Sequence, residues 1–250
     1  MARRKLSDVS HPDPLLTDNF WLTFGGDPQP PMRLKILYVT FGEIAVSGPA
    51  SFNVASVCDR LGITYPMVNH YFGNRDGLIA EAATEVYERY VEKLWEAVRN
   101  ARPTPEERMR AWISSEVTET TNLGGWSPIL HFASASREVT AEIQRSFASR
   151  LNRIYEIKVA RLTQLVMELK QGAVNASGEP LKSQVRQSFL DNPRVQRLVA
   201  LVSWVTYGMS VSRSGQNLPA SNGSVFSMVD QKLLESSIDE VISLVRQSEL

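Results

Sequence analysis

The chain has a single cysteine, Cys58, in 250 residues. No intramolecular disulfide is therefore available, nor any cysteine-built zinc site, and the composition fits a reducing compartment. Long hydrophobic runs are missing too. The longest apolar-rich stretch, LVALVSWVTYGMSV at 198–211, is too short to span a bilayer. Arg3, Arg4 and Lys5 are followed by no apolar segment, so no signal peptide is read. A soluble, cytoplasmic protein with no membrane partner is expected. An excess of one charge is also absent, with 27 basic residues against 27 acidic ones. That balance excludes a general polyanion binder and leaves a local patch open.

Catalytic signatures are lacking as well. The sequence holds no P-loop, no GxSxG, no HExxH and no dinucleotide fingerprint after a strand. Its three histidines, His11, His70 and His131, are scattered, so no metal cluster is expected. Glu116 and Glu119 read as a solvated helix face rather than a carboxylate pair. The expectation is a protein without catalytic residues, cofactor or metal. An enzyme and a helical protein-binding adaptor remain the rival classes.

What is present is helical periodicity with abrupt punctuation. Residues 1–32 carry His11-Pro12-Asp13-Pro14 and Gly25-Gly26-Asp27-Pro28-Gln29-Pro30-Pro31. Prolines at that density cannot occupy a helix interior, so this stretch reads as a flexible arm. Past Pro31, Leu34, Leu37, Tyr38, Phe41, Ile44 and Ala45 mark one helix face, and Ser47-Gly48-Pro49 stops it. Asn53 caps a short helix whose inner face is Val54, Val57, Cys58 and Leu61, and Gly62 suits its left-handed end. Thr64 caps the next helix, and Pro66 fits its first turn. Gly73-Asn74 breaks the chain before a long helix at about 75–100. Further helices are read near 105–121, 127–135, 138–171, 193–213 and 229–248. No segment has a convincing strand period, so the fold class is all-α.

Two short helices joined by Gly62-Ile63-Thr64 make a helix-turn-helix, whose second helix enters a DNA major groove. If Val68 and Phe72 point inward, steps of 100° turn Pro66, Met67, Asn69, His70 and Gly73 outward, with Tyr65 and Tyr71 flanking. Asn can bond adenine at two points, Tyr and His can donate to phosphates, and Met and Pro can touch thymine methyls. From this chemistry alone, a structural helical hairpin with a decorated surface remains a comparable alternative.

Residues 33–79 resemble the DNA-binding domain of the tetracycline-repressor (TetR) family. The matching positions are Phe41, Gly48, Phe52, Asn53, Val54, Val57, Gly62, Ile63, Thr64, Tyr71, Phe72, Arg75 and Leu78. Arg75 and Asn53 stand where that family usually has Lys and Thr. The resemblance implies that Thr64, Tyr65, Pro66, Met67, Asn69 and His70 face the groove. It further implies that Tyr71 and Arg75 anchor phosphates, and that Asn53 and Ser56 approach the DNA backbone. Residues 80–250 would be the effector-binding and dimerising domain, matching only as an all-helical chain. Its last two helices carry the stripes Leu198, Leu201, Val202, Val205, Met209 and Leu234, Ile238, Val241, Ile242, Val245. The resemblance implies a homodimer through those helices. Trp112, Trp126, His131, Phe132, Phe147, Tyr155, Trp204 and Tyr207 are candidate walls of a cavity for a small, largely apolar effector. The expected function is a ligand-responsive regulator, a repressor that binds a palindromic operator on double-stranded DNA as a dimer.

Overall fold

The computed structural model describes residues 31–122, 136–174, 187, 191–214 and 231–249. Among these residues every regular element is a helix. In chain order they are α1 (Met32–Ser51), α2 (Val54–Leu61), α3 (Tyr65–Phe72), α4 (Arg75–Asn100) and α5 (Pro105–Asn122). Then follow α6 (Arg137–Glu142), a π-helical turn (Ile143–Phe147), α7 (Ala148–Gln171), α8 (Pro193–Ser214) and α9 (Gln231–Gln247). The helix expected near 127–135, the arm through residue 30, and Trp126, His131 and Phe132 lie outside the described residues.

The chain divides into two compact units. The first holds the described residues through Val86 together with Ser136–Phe147; the second takes the rest from Tyr87 and from Ala148 onward. Helix α4 is continuous through Val86–Tyr87. The single helix read at 138–171 is in fact two α-helices either side of the π-helical turn. An extra residue in a turn leaves no trace in apolar periodicity over so short a length.

The first unit is organised by local signals. Helix α1 breaks at Gly48, at φ 72° and ψ 162°, just before Pro49. The Asn53 side chain caps α2 by accepting from the Ala55 N–H at 2.9 Å. Gly62 then sits in the left-handed region at φ 62°, where a side chain would be strained, and turns the chain toward α3. Thr64 holds the cap position of α3 with its backbone alone. Asn74, read from the sequence as part of a chain break, also caps α4 by accepting from the Gly77 N–H at 2.8 Å. Gly77 is needed for another reason: a Cβ there would lie 2.2 Å from the Phe72 carbonyl oxygen. That close approach seats the start of α4 against the end of α3. Leu37, Tyr38, Phe41, Ile44, Val54, Val57, Val68, Phe72, Leu78 and Ile79 are buried, as their periodicity requires.

The second unit is a bundle in which α5, α7, α8 and α9 pack on one another. The apolar face of α9, comprising Leu234, Ile238, Val241, Ile242 and Val245, is buried there, as are Leu198 and Val202 of α8. Leu201, Val205 and Met209 of the α8 stripe are half-buried, so only the covered residues are withdrawn from the expected dimer face. They are spent inside the protomer, chiefly because α9 lies on α5 and α7. Periodicity states which face of a helix is covered and leaves open what covers it.

Candidate functional site

Helix α3 is held by few contacts and shows a broad surface. Val68 and Phe72 anchor it, while Thr64, Tyr65, Pro66, Met67, His70 and Tyr71 are exposed. Three large side chains among them, Tyr65, Met67 and Tyr71, are each more than one-third exposed. Solvent-facing aromatic and thioether groups gathered on one eight-residue helix are unusual for a surface without a partner. The His70 and Tyr71 rings meet edge to face at 5.3 Å. Asn69 is half-buried, and its Oδ1 has no hydrogen-bond partner. On α2, Asn53 is exposed and Ser56 half-buried.

Three cations of this unit, Arg75, Arg60 and Arg33, have other work. The Arg75 guanidinium donates to the Pro49 carbonyl at 2.8 Å and the Phe52 carbonyl at 3.3 Å, and pairs with Asp76 at 3.2 Å. It also lies 5.7 Å from the centre of the Phe52 ring. In this structure Arg75 ties the α1–α2 connection to the start of α4 rather than projecting free for a phosphate. Arg60 pairs with Glu43 at 2.7 Å. Arg33 pairs with Glu81 and sits 5.1 Å over the Phe72 ring, clamping the C-terminal end of α3. Helix α3 itself carries hydroxyl, imidazole and amide groups and no Lys or Arg. Cys58 is buried, and burial followed by the Asp59 carboxylate pushes its thiol up, which leaves it a poor nucleophile.

The second unit has a polar heart. Arg108 and Glu168, both buried, pair at 2.8 Å, and Gln164 donates to Glu168 at 2.8 Å. Arg161 donates to the Val91 carbonyl at 3.2 Å and to Glu92 at 2.9 Å. The two guanidinium carbons lie 5.6 Å (Arg108) and 5.2 Å (Arg161) from the centre of the Trp95 ring. One step along, Tyr90 donates to Glu116 at 3.0 Å, and Lys158 donates to the same carboxylate. Glu116 is 4% exposed, so the solvated face expected of it is corrected: the carboxylate faces α4 and α7. Burial pushes the Tyr90 hydroxyl well up, and the Glu116 charge adds to that. For Lys158 burial pulls the ammonium down, but the Glu116 carboxylate and the Tyr87 and Tyr155 hydroxyls together outweigh it and the pKa ends raised.

Four buried atoms in this region have no partner: Trp95 Nε1, Trp112 Nε1, Arg161 Nε and Gln164 Oε1. A buried polar atom left unsatisfied costs about 1–3 kcal/mol. Sequence reasoning passed over Trp95, Arg108, Arg161, Gln164 and Glu168. The signal was available as charged and amide residues inside the apolar register of α5 and α7. Of the expected cavity walls, Trp112 is buried and Phe147 half-buried. Tyr155 (61%), Trp204 (72%) and Tyr207 (43%) are instead exposed on the protomer, because the apolar sides of α7 and α8 turn the other way. Among the described residues no group of three metal-ligating side chains comes together, and no helix is long and apolar enough to cross a membrane.

No family model matches the chain. It is similar to the HTH-type transcriptional regulator BetI of Stenotrophomonas maltophilia, 26% identical over 145 residues, which are 54% of this chain and 74% of that protein. It is also similar to BetI of Burkholderia ambifaria, 30% identical over 117 residues, 42% of this chain and 58% of that protein. The match thus spans little more than half of the Burkholderia relative. A Pseudomonas aeruginosa PAO1 crystal structure, described as a candidate transcriptional regulator, aligns over 86% of this chain and 89% of its own. Its TM-score is 0.46 at 16% identity. BetI is a TetR-family member, so the resemblance read from residues 33–79 holds, and the chain is an all-α relative of HTH-type transcriptional regulators.

Proposed function

We propose that this protein is a homodimeric, ligand-responsive transcriptional regulator, a repressor that binds a palindromic operator and releases it when a small, largely apolar effector binds. The observation that carries the reading is the exposed face of α3. Thr64, Tyr65, Pro66, Met67, His70 and Tyr71 stand clear of the unit on a helix delivered by the Gly62 turn. A groove of bases and phosphates supplies that face with thymine methyls, ring edges and acceptors. Asn69 reads a base edge once its orphaned amide oxygen is drawn out. Asn53 and Ser56 approach the backbone, where the α2 N-terminus favours an anion. Arg75 contributes by rigidity, its donors being engaged.

Residues 33–79 act as the reading head and residues 80–250 as the effector and dimer domain. The dimer uses what α8 and α9 leave uncovered: Trp204, Tyr207, Leu233 and Leu244 are exposed on the protomer. Two reading heads then meet half-sites about 34–36 Å apart, or a multiple of that. The effector acts by binding one arrangement of the heads better than the other, since only differential affinity shifts such an equilibrium.

Selection of bound fragments from random duplex DNA, followed by mobility shifts on the winners, tests the reading. An inverted repeat is expected. Asn69→Ala should cost roughly 1–3 kcal/mol per half-site and relax preference at one position. A selection that enriches no sequence sinks the proposal.

A further inference from the structure

We infer that α3 reads A·T pairs through the thymine C5-methyl group, with Pro66 and Met67 as the residues that meet it. The inference rests on the proposed DNA-binding role of α3 and adds which base pairs that helix selects. Val68 and Phe72 are buried and fix the inner side of α3. Steps of 100° from that pair put Pro66, Met67 and His70 at the crest of the opposite side. All three are exposed. Two of them offer a groove almost nothing polar. Pro66 has no side-chain donor and no backbone N–H, and the Met67 thioether, 40% exposed, is only a weak acceptor. Both lie in the first turn of α3, the part of a recognition helix that contacts base edges. In the major groove the thymine methyl is the apolar group on offer. The other base edges present donors and acceptors, which these two side chains would cover without bonding, at a loss of affinity.

Guanine finds no matching reader on this face. Its commonest partner is an arginine or lysine set against O6 and N7. Residues 61–74 contain neither. The arginines within residues 31–79 are held by carboxylates: Arg33 by Glu81, Arg60 by Glu43 and Arg75 by Asp76. Lys35 belongs to α1. Asn69 is set back from the crest, half-buried with its Oδ1 unpartnered, so the two apolar side chains meet the groove first. His70 and Tyr71, ring against ring at 5.3 Å, stand toward the C-terminal end of the helix, where donors serve phosphates.

Selection from a random duplex pool with the full chain supplies the probe. The highest-ranked duplex is then remade with deoxyuridine at one thymine position at a time, and binding is read by mobility shift. Deoxyuridine deletes the methyl and keeps the pairing. At least one thymine in each half-site should lose affinity roughly four-fold, the worth of burying one methyl-sized group. The double variant Pro66→Ala/Met67→Ala should bind the thymidine and deoxyuridine duplexes equally, an outcome that a merely structural role for these exposed residues would not produce. Should the double variant lose all binding, the scan on the unmutated chain decides alone. A scan that is flat at every position overturns the inference. An A·T preference exerted through groove shape gives that flat result, because uracil leaves the minor groove as it was. Discrimination that survives in the double variant overturns it too, as does a selected half-site made of G·C pairs. In each of these cases the selected DNA is still bound, so the regulator reading stands. A chain that selects no DNA sinks the regulator reading itself, and this inference with it.

Discussion

Replacing Arg75 separates two roles that the sequence could not tell apart. As a phosphate anchor, Arg75→Ala weakens binding to every duplex and lowers the salt slope by about 0.9 per reading head. The structure gives the side chain another task, with donors to the Pro49 and Phe52 carbonyls and an ion pair to Asp76. Hydrogen bonds from a charged donor are worth about 1.5–3 kcal/mol when buried. The Arg75 side chain is 36% exposed, so solvent screening brings the expected cost down to about 1–2 kcal/mol for the whole tie. That loss falls on the α1–α2 connection. Native-state amide exchange across Val54–Leu61 should therefore quicken roughly 5–30-fold, the change in opening equilibrium that such a free energy implies. Arg75→Lys sharpens the test. It keeps the charge, and so a phosphate contact, but a point charge cannot hold two carbonyls in a fork. Faster exchange in both variants, with an unchanged salt slope, is the expected result. Unchanged exchange in both, with a salt slope that falls in Arg75→Ala and recovers in Arg75→Lys, would refute the structural role.

Two further tests concern the second unit. Glu116→Gln leaves the half-buried Lys158 without its carboxylate and should destabilise the fold by up to about 3 kcal/mol, the low end for a fully buried pair, read by chemical denaturation. In the unmutated chain Lys158 and Tyr90 both have pKa values raised above their ordinary 10.5 and 10.0. The folded state keeps protons there that the unfolded chain releases. Their contribution is thus complete below about pH 10 and declines as pH climbs through the folded values. A melting temperature that fails to drop between neutral pH and pH 11 would contradict this. To test the proposed dimer, a charge belongs at Trp204 or Leu244, which are exposed, and not at Ile242, which is buried in the protomer. Trp204→Glu should leave the helical content intact and yield monomers by sedimentation; a dimer that persists in both Trp204→Glu and Leu244→Glu would remove this face from consideration.

Local chemistry in the sequence settled the shape of the helix-turn-helix. The Asn53 cap, the Gly62 turn, Pro66 at the start of α3 and the inward pair Val68 and Phe72 all act within four residues of chain. Sequence alone suffices at that range because a cap needs only the next turn's N–H, and a left-handed turn needs only a missing Cβ. The ends of α4, α5, α8 and α9 were legible for the same reason. Tertiary structure decided the partners of the charges and the cover of the apolar faces. Arg108 finds Glu168 sixty residues away, and Arg75 finds Pro49 and Phe52 from across the unit. The stripe of α9 looks the same on paper whether its cover is a second protomer or α5 and α7 of its own. A hydrophobic period records that water is excluded from a face, and a charge records a demand for a counter-charge. Neither carries an address, and only packing at long range in the chain supplies one.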